Sequence, residues 1–326
     1  MQLQSAIVVT GAAGFIGSYL TGYLNRKGFE NLILVDDFAR PDKAPNLAGK
    51  VFSRQIHRDD FAAWWQENPQ AIDYCFHLGA RTDTTEMDYE VHRRLNLEYS
   101  KTIWQLCVQT GTPLVYASSA ATYGSGAQGY TDDQQRLDAL EPLNPYGLSK
   151  HQFDQWALAQ PETPPFWAGL KFFNVYGPNE YHKGRMASVI FHAFHQIQQE
   201  GQVKLFRSHH PDYTDGGQMR DFVFVDDIAA MCFWLLDQQP ASGIYNAGSG
   251  RARTFLDLVR AIFHSLELPE NITFIDTPAD IRDKYQYFTE ADMRKLQMAG
   301  FTQPLTSLED GVAQYVRDYL VTGSYY

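Results

Sequence analysis

The first half of the chain alternates short apolar runs with amphipathic segments. Four of the runs are rich in β-branched and aromatic residues, which predicts strands. These runs cover residues 6–10, 32–35, 73–78 and 113–117. Between them, apolar residues recur at the helical spacing from Phe15 onward, in 61–66 and in 88–109. Because alternating strands and helices form right-handed βαβ units, this half predicts a doubly wound parallel sheet with both faces covered.

The alternation loosens after about residue 175. Residues 207–217 are polar and rich in turn-forming residues, which predicts an irregular loop over a site. Amphipathic helices are predicted again farther along the chain. They cover Asp226–Asp237, Thr254–Leu266, Thr289–Ala299 and Ser307–Leu320. The second half therefore predicts a smaller α/β region that the chain enters more than once.

Composition narrows the class of protein. With 326 residues, 44% of them hydrophobic and 14% aromatic, the chain has enough apolar material for a large core, which excludes disorder. A formal net charge of −11 without a basic run argues against nonspecific binding to nucleic acid or to anionic membranes. Three widely spaced cysteines predict buried thiols, and neither disulfides nor a metal site. We expect a cytoplasmic protein, since no apolar stretch is long enough to span a bilayer and no leader pattern precedes the first strand.

Gly11, Gly14 and Gly17 follow the first strand and open the first helix. This spacing is typical of a dinucleotide-binding turn, in which glycines allow a tight turn, the approach of a pyrophosphate and close helix–strand packing. Asp36 ends the next strand, 19 positions after Gly17, where a carboxylate binds the adenine ribose diol and favours NAD. Nearby cations could instead neutralise the 2′-phosphate of NADP. They are Arg40, Lys43 and Arg58.

A serine, a tyrosine and a lysine form a candidate catalytic set. Tyr146 and Lys150 lie four residues apart at the start of a helical pattern, so both side chains lie on one face. The ammonium is expected to favour the phenolate and bring the pKa of Tyr146 closer to neutral. Ser119 follows a strand and is expected at the carboxyl edge of the sheet. With a nicotinamide cofactor, this set predicts the oxidation of an alcohol.

Through these motifs and others along its whole length, the chain resembles the extended short-chain dehydrogenase/reductase family. The matching motifs are Gly11-x-x-Gly14-x-x-Gly17, Asp36, His77-Leu-Gly-Ala80, Asn96, Ser119, Tyr146-x-x-x-Lys150, Asn174-Val-Tyr-Gly-Pro178 and Arg220-Asp-Phe-Val-Phe-Val-Asp226. Members of that family oxidise, epimerise or dehydrate nucleotide sugars. A dehydratase would carry a carboxylate in the triplet after the strand serine, whereas residues 118–123 read SSAATY. The resemblance therefore implies oxidation or epimerisation rather than dehydration.

Residues 172–188 and 284–292 are similar to the family of ADP-L-glycero-D-manno-heptose 6-epimerases. In that family the lysine of a His-Lys-Gly triplet is a second acid/base, which would be Lys183 here. Inversion of one carbon needs hydride to leave and return on opposite faces, so two proton-transfer groups are useful. The resemblance implies conversion of ADP-D-glycero-D-manno-heptose through a transient 6″-keto sugar, with NADP (NAD possible) taking and returning hydride. A UDP-sugar 4-epimerase and a non-catalytic dinucleotide sensor stay as alternatives.

The resemblance also assigns a site and a division of the chain. It implies a nucleotide-sugar ligand, a homo-oligomer, a Rossmann-type NADP-binding domain in 1–172 with a returning segment near 220–250, and a discontinuous substrate-binding domain in about 173–219 and 251–326. The catalytic residues would be Ser119, Tyr146, Lys150 and Lys183. Cofactor contacts would come from Gly11, Gly14, Phe15, Ile16, Gly17, Asp36, Asp37, Lys43, Arg58, Leu78, Gly79, Ala80, Asn96, Tyr146, Lys150 and His182. Substrate contacts would come from Ser119, Asn174, Lys183, Phe206, Arg220 and Tyr285.

Overall fold

Seven parallel strands form the central sheet of this computed structural model, which describes residues 1–278, 282 and 286–326. The described strands are β1 (Ile7–Thr10), β2 (Leu32–Asp36), β3 (Arg54–His57), β4 (Tyr74–His77), β5 (Leu114–Ser119), β6 (Trp167–Phe172), β7 (Asn174–Tyr176), β8 (Val203–Phe206), β9 (Met219–Phe224), β10 (Gly243–Ala247), β11 (Ala252–Thr254) and β12 (Ile272–Ile275). The central sheet has the order β10-β6-β5-β4-β1-β2-β3, and every neighbouring pair is parallel. The predicted doubly wound parallel sheet is therefore confirmed.

Helices connect these strands and cover the sheet. They are α1 (Phe15–Arg26), α2 (Arg58–Glu67), α3 (Tyr89–His92), α4 (Tyr99–Thr110), α5 (Pro145–Leu158), α6 (Val189–Glu200), α7 (Val225–Gln238), α8 (Phe255–Ser265), α9 (Arg294–Met298) and α10 (Leu308–Gln314). A π-helical segment, Arg93–Glu98, joins α3 to α4, so the helix predicted in 88–109 is continuous. Another, Tyr315–Leu320, extends α10 to the predicted end.

The helix predicted for Thr289–Ala299 is wrong in its first half, because it begins only at Arg294. The backbone before it is extended and bonds to β9. Thr289 N donates to Met219 O at 3.3 Å, and Ala291 N donates to a carboxylate oxygen of Asp221 at 2.9 Å. These tertiary hydrogen bonds outweigh the helical spacing of the apolar residues in that segment.

The remaining strands form two small sheets, β11-β9-β7 and β12-β8. The loop between β8 and β9 is irregular, as the polar residues 207–217 predict. After β9 the chain returns to the central sheet, where α7 packs against α1 and β10 pairs with β6. Within the described part of the chain, no helix is both long enough and apolar enough to cross a membrane.

Aromatic packing fixes α5 against the central sheet. Phe153 on α5 meets Tyr116 on β5 edge-on at 4.9 Å and Trp104 on α4 at 6.3 Å. Trp104 in turn lies 5.1 Å from Trp167 on β6. Each of these rings is at most 6% exposed. This cluster holds the first turn of α5 at the carboxyl ends of β5 and β6, where parallel sheets of this kind bind ligands.

Candidate active site

The glycine turn between β1 and α1 is too tight for larger residues. Gly11 has a φ of +68°, and a Cβ atom there would lie 2.7 Å from the Cα of Gly79. A Cβ atom on Gly17 would lie 2.1 Å from the carbonyl oxygen of Gly11. The first glycine therefore allows contact with the loop after β4, and the third allows α1 to pack against the turn.

Helix α1 presents its N-terminal amides at this turn. Gly14 precedes the helix, and among the described side chains none caps it. The first amides of a helix have no partner within it, so they are available to a phosphate group. They belong to Phe15, Ile16 and Gly17. The turn and the helix start thus form an anion-binding site.

Asp36 lies at the end of β2, beside the glycine turn, and is 6% exposed. Its carboxylate accepts hydrogen bonds from the backbone of Ala13 at 2.9 Å and of Asp37 at 2.7 Å. The ammonium of Lys43 is a third donor at 2.9 Å. Because a carboxylate has about four acceptor positions, Asp36 keeps little capacity for a ribose diol.

Two arginines lie at the rim of this end of the site. Arg58 lies 3.6 Å from the carboxylate of Asp37, and Arg40 pairs with Asp42. The backbone amide of Ala39, and then Arg58, hold the pKa of Asp37 below its usual value. Both arginines are partly exposed, so they can reorient towards a ligand phosphate.

The loop after β4 reaches both the turn and α5. Gly79 N donates to the Thr10 hydroxyl at 3.1 Å, which places Leu78, Gly79 and Ala80 beside the glycine turn. Asn96 is fully buried, and its amide bonds to both backbone groups of Arg81 and to the Ser149 hydroxyl at 3.0 Å. Since the Asn96 amide is occupied in this way, the geometry gives Asn96 a positioning role, and its contact with a cofactor stays a prediction.

Ser119 and Tyr146 meet at the carboxyl edge of the sheet. Ser119 ends β5, and Tyr146 lies in the first turn of α5, which is capped by a 2.8 Å hydrogen bond from Gly147 N to Asn144 Oδ1. The Ser119 hydroxyl acts on the phenol of Tyr146. Burial raises the pKa of Tyr146, and the Ser119 hydroxyl opposes that rise only in part. The expected lowering of this pKa is therefore wrong for this structure, because burial outweighs the stabilisation of the phenolate.

Lys150 lies one turn beyond Tyr146 and is 3% exposed. Its ammonium donates to the carbonyl oxygen of Ala117 on β5 at 2.8 Å. Burial lowers the pKa of Lys150 to about 8, and the carboxylate of Asp154 opposes this shift. Lys150 therefore keeps its charge at neutral pH although it is buried.

Lys183 is held in the short 3-10 helical turn Tyr181–Met186, against the start of α1. Its ammonium lies 5.2 Å from the centre of the Phe15 ring. Burial lowers the pKa of Lys183, and the carboxylate of Glu180 opposes this. The neighbouring His182 has a pKa lowered to about 4, first by burial and then by Lys43, so its ring is neutral at pH 7. Lys183 is therefore not an ordinary solvated lysine.

Three of the residues expected to bind substrate lie on strands of the two small sheets. Arg220 on β9 is 9% exposed, donates to the carbonyl oxygens of Met219 and Gln286, and lies 5.6 Å from the Phe255 ring. Asn174 is exposed and begins β7, next to β9, and Phe206 ends β8. Tyr285 lies outside the described residues.

Comparison with known proteins identifies the family. The sequence model of the NAD dependent epimerase/dehydratase family matches residues 7–248. The chain belongs to this family. It is 48% identical over 315 residues to the ADP-L-glycero-D-manno-heptose-6-epimerase of Nitratidesulfovibrio vulgaris (strain DP4), covering 96% of this chain and 97% of that protein. Its identity to the enzyme of the same name from Fusobacterium nucleatum subsp. nucleatum is 44% over 324 residues, covering 96% and 98%.

A solved structure agrees with these relatives. The crystal structure of ADP-L-glycero-D-manno-heptose-6-epimerase from Helicobacter pylori superposes with a TM-score of 0.82 at 26% identity, covering 97% of this chain and 96% of that one. The resemblance to the heptose 6-epimerases that residues 172–188 and 284–292 indicate is therefore confirmed.

The residues present fit the nicotinamide dinucleotide that the epimerase/dehydratase family uses. The glycine cradle and the uncapped start of α1 suit a pyrophosphate. Asn46 donates through Nδ2 to Ala13 O at 2.9 Å, whereas its buried Oδ1 has no hydrogen-bond partner among the described residues. A buried acceptor without a partner is costly, and the hydroxyl groups of a dinucleotide are suitable donors for it.

Three buried polar residues of this epimerase/dehydratase site are not predicted by the sequence patterns described above. Asp154 and Glu180 are completely buried, and they act on the pKa values of Lys150 and Lys183 respectively. Both could have been found from spacing, because Asp154 follows Lys150 by four residues on the same helix and Glu180 precedes Lys183 by three. Asn46 lies in a polar segment whose sequence carries no comparable signal.

Proposed function

We propose that this chain epimerises ADP-D-glycero-D-manno-heptose at C6″ to give ADP-L-glycero-D-manno-heptose. The observation that carries this proposal is the pair of proton-transfer groups near one dinucleotide site. Tyr146 interacts with Ser119 at the sheet edge, and Lys183 is held over Phe15 at the start of α1. The relatives at 48% and 44% identity support the same reaction.

The chain's own residues would handle the protons of this reaction. A bound nicotinamide dinucleotide supplies reversible hydride transfer at C6″, which passes through a 6″-keto sugar. One of Tyr146 and Lys183 removes the hydroxyl proton, and the other protonates the oxygen when hydride returns to the opposite face. Ser119 polarises that oxygen through its hydroxyl. Lys150, anchored to Ala117 O, supplies a positive charge near the phenol.

We propose NADP as the cofactor. Asp36 already accepts three hydrogen bonds, which leaves little capacity for the free diol of NAD. Lys43 and Arg58 bring two cations to the same end of the site, where a 2′-phosphate would lie. Release of the dinucleotide from purified protein, followed by chromatography against standards, tests this. NADP is expected, and stoichiometric NAD would overturn the proposal.

The remaining proposals concern the substrate contacts, the division of the chain, its cellular location and its oligomeric state. Arg220 would bind the diphosphate of the sugar nucleotide, with further contacts from Asn174 on the paired strand β7 and from Phe206 at the end of β8. The Rossmann-type part and the discontinuous substrate-binding part would keep the boundaries expected from the sequence. A cytoplasmic location is supported by the three cysteines, which all lie in the described part and are free and buried. The homo-oligomer stays a prediction that light scattering can test.

The decisive experiment is incubation of the purified protein with ADP-D-glycero-D-manno-heptose. Proton NMR of the heptose would follow the ratio of the two C6″ epimers, which is expected to approach an equilibrium mixture from either side. No change in this ratio, with dinucleotide bound, would overturn the substrate assignment. Turnover of a UDP-sugar instead would support the 4-epimerase alternative, and turnover of neither would support a dinucleotide sensor.

A further inference from the structure

A completely buried ion pair lies directly behind the catalytic groups. The ammonium of Lys171 on β6 lies 2.8 Å from Oδ2 of Asp154 on α5, and the two side chains are 1% and 0% exposed. Placing two charges in an apolar interior carries a large desolvation penalty, so such a pair is weak evidence for stability as such. Its contacts instead point to a role in the geometry and charge of the site.

The pair holds the strand residues on both sides of Ser119. Asp154 accepts hydrogen bonds from the Ser118 hydroxyl at 2.6 Å and from the Tyr116 hydroxyl at 3.0 Å. Lys171 donates to the Thr122 hydroxyl at 2.6 Å, and that hydroxyl donates to the carbonyl oxygen of Ser119 at 2.8 Å. The main chain that carries the Ser119 hydroxyl is thus fixed before and after that residue.

The same pair ties this strand end to the helix that carries the other two catalytic groups. Asp154 lies one helical turn beyond Lys150 and two turns beyond Tyr146 on α5. Lys171 is the parallel partner of Ser118 in the sheet. Because Ser119 ends β5 and Tyr146 lies on α5, a small shift of either element would change the distance between the two hydroxyl groups.

We propose that Asp154 and Lys171 form a positioning pair, which holds Ser119 against Tyr146 and directs a negative charge towards the ammonium of Lys150. This inference rests on the proposed function, since it assigns the pair to the same three catalytic groups. Neither residue contacts the reacting atoms. Both act through residues that do.

The charges around this region give the pair a measurable signature. Lys150 interacts electrostatically with His77 on β4 and with Asp154 on its own helix, and Tyr146 lies one turn before it on that helix. Burial lowers the pKa of Lys150 to about 8, and the carboxylate of Asp154 opposes that shift. Replacing the carboxylate by an amide therefore lowers the pKa of Lys150 further, so its ammonium is lost at a lower pH.

Other titratable groups face the pair itself from the neighbouring elements. They are Tyr116 on β5, Tyr123 in the turn after β5 and His151 on α5, which Asp138 also influences. Burial raises the pKa of both tyrosines, and burial followed by Lys171 lowers that of His151. These three groups are uncharged at neutral pH. A substitution in the pair therefore changes only the charges of Lys171 and Asp154 themselves.

The test compares Asp154→Asn with the double variant Asp154→Asn/Lys171→Met, both with their bound dinucleotide. The single variant leaves Lys171 as an uncompensated buried charge, so its melting temperature is expected to fall. The double variant removes both charges, and its melting temperature is expected to recover. In both, kcat for heptose epimerisation is expected to fall at least tenfold with KM changed less than threefold. The alkaline limb of the kcat profile is expected to move to lower pH.

A control separates these effects from simple destabilisation. Asp227→Asn weakens a buried carboxylate that accepts two hydrogen bonds from Thr306, far from the catalytic groups along α7. It is expected to lower the melting temperature and leave the pH profile of kcat unchanged. If the folded double variant keeps the wild-type kcat and alkaline limb, the positioning role is wrong.

A measurement without substrate distinguishes failure of this inference from failure of the proposed function. The Lys150 side chain can be titrated by NMR in protein labelled with ¹³C-lysine, with Lys150→Met to assign its signal. A lower pKa for Lys150 in Asp154→Asn than in the wild type would support the inference even if the heptose is not the substrate. An unchanged pKa would overturn it, whatever the enzyme acts on.

Discussion

Substitution of Gly17 by alanine tests whether close packing at the glycine turn is what binds the dinucleotide. A Cβ atom at this position would lie 2.1 Å from the carbonyl oxygen of Gly11, and 2.7 Å from its carbonyl carbon. The obstacle is backbone, so no side chain can rotate away. Ordinary carbon contacts begin at about 3.5 Å, so the first turn of α1 must move away from the turn by about 1 Å.

The expected loss of stability is small. Overpacking of this kind costs about 1–3 kcal/mol. Alanine in place of a helical glycine returns about 1 kcal/mol. The net cost is therefore about 0–2 kcal/mol, which the protein should survive because folded domains have about 5–15 kcal/mol in reserve. We expect Gly17→Ala to fold, with a slightly lower melting temperature.

The expected loss of binding is large. Hydrogen bonds from helix amides to a phosphate span about 2.7–3.2 Å, so a shift of about 1 Å removes them. Each bond to a charged group is worth about 1.5–3 kcal/mol. Losing two of them weakens binding by about 3–6 kcal/mol, which is roughly a hundredfold to ten-thousandfold in Kd.

The assay is the dinucleotide content of the purified variant, together with its Kd for added NADP by titration calorimetry. Gly201→Ala is a matched control, because it places an alanine at a φ of +69° after α6 with nothing within 4 Å of its Cβ atom. That control should lose stability and keep its dinucleotide. Full dinucleotide content and a wild-type Kd in Gly17→Ala would refute the packing argument.

Three further substitutions test the separate roles assigned to the site. Lys183→Met should lower the epimerisation rate at least a hundredfold with the bound dinucleotide retained, and unchanged turnover would contradict a second acid/base. Lys43→Ala should weaken NADP binding about tenfold and NAD binding much less, whereas equal losses would contradict a phosphate contact. Burial lowers the pKa of His77 to about 3, so its ring stays neutral in the folded protein. In the unfolded chain the ring takes up a proton below about pH 6.5, so the folded state loses stability as the pH falls through that value. The free energy of unfolding, measured with urea, should fall between pH 7 and pH 5 by about 2 kcal/mol less in His77→Asn than in the wild type.

The sequence predicts the elements whose patterns are strong and local. Strand β1 reads Ile-Val-Val-Thr and is completely buried, and the glycines follow it directly. In contrast, β3 was not predicted, because it is an edge strand of Arg54–His57 in which only Ile56 is buried. The sequence does not predict strand β6 either, since Gly169 and the buried Lys171 interrupt its apolar pattern. Both depend on partners that are distant in the sequence.

The same limit applies within the candidate site. The spacing of Tyr146 and Lys150 places them on one face of α5, but it says nothing about burial. Burial raises the pKa of the tyrosine and lowers that of the lysine, so both are shifted towards their neutral forms. A helical spacing argument treats the pair as if it were in water, where the ammonium would favour the phenolate. Only the packed structure gives the sign of the shift.

The net charge of −11 can be related to ligand binding through the acceptors that hold the cations near the site. Three cations near the site are already held by acceptors of the chain itself: Lys43 by Asp36, Arg58 by Asp37 and Lys150 by Ala117 O. Such pairing keeps long side chains ordered before a ligand arrives, so less conformational entropy is lost on binding. It also lowers the positive charge that a diphosphate meets. The helix amides and glycine backbone of the turn must therefore supply much of the affinity, which is why a backbone displacement of about 1 Å at Gly17 is expected to matter more there than the loss of one cation.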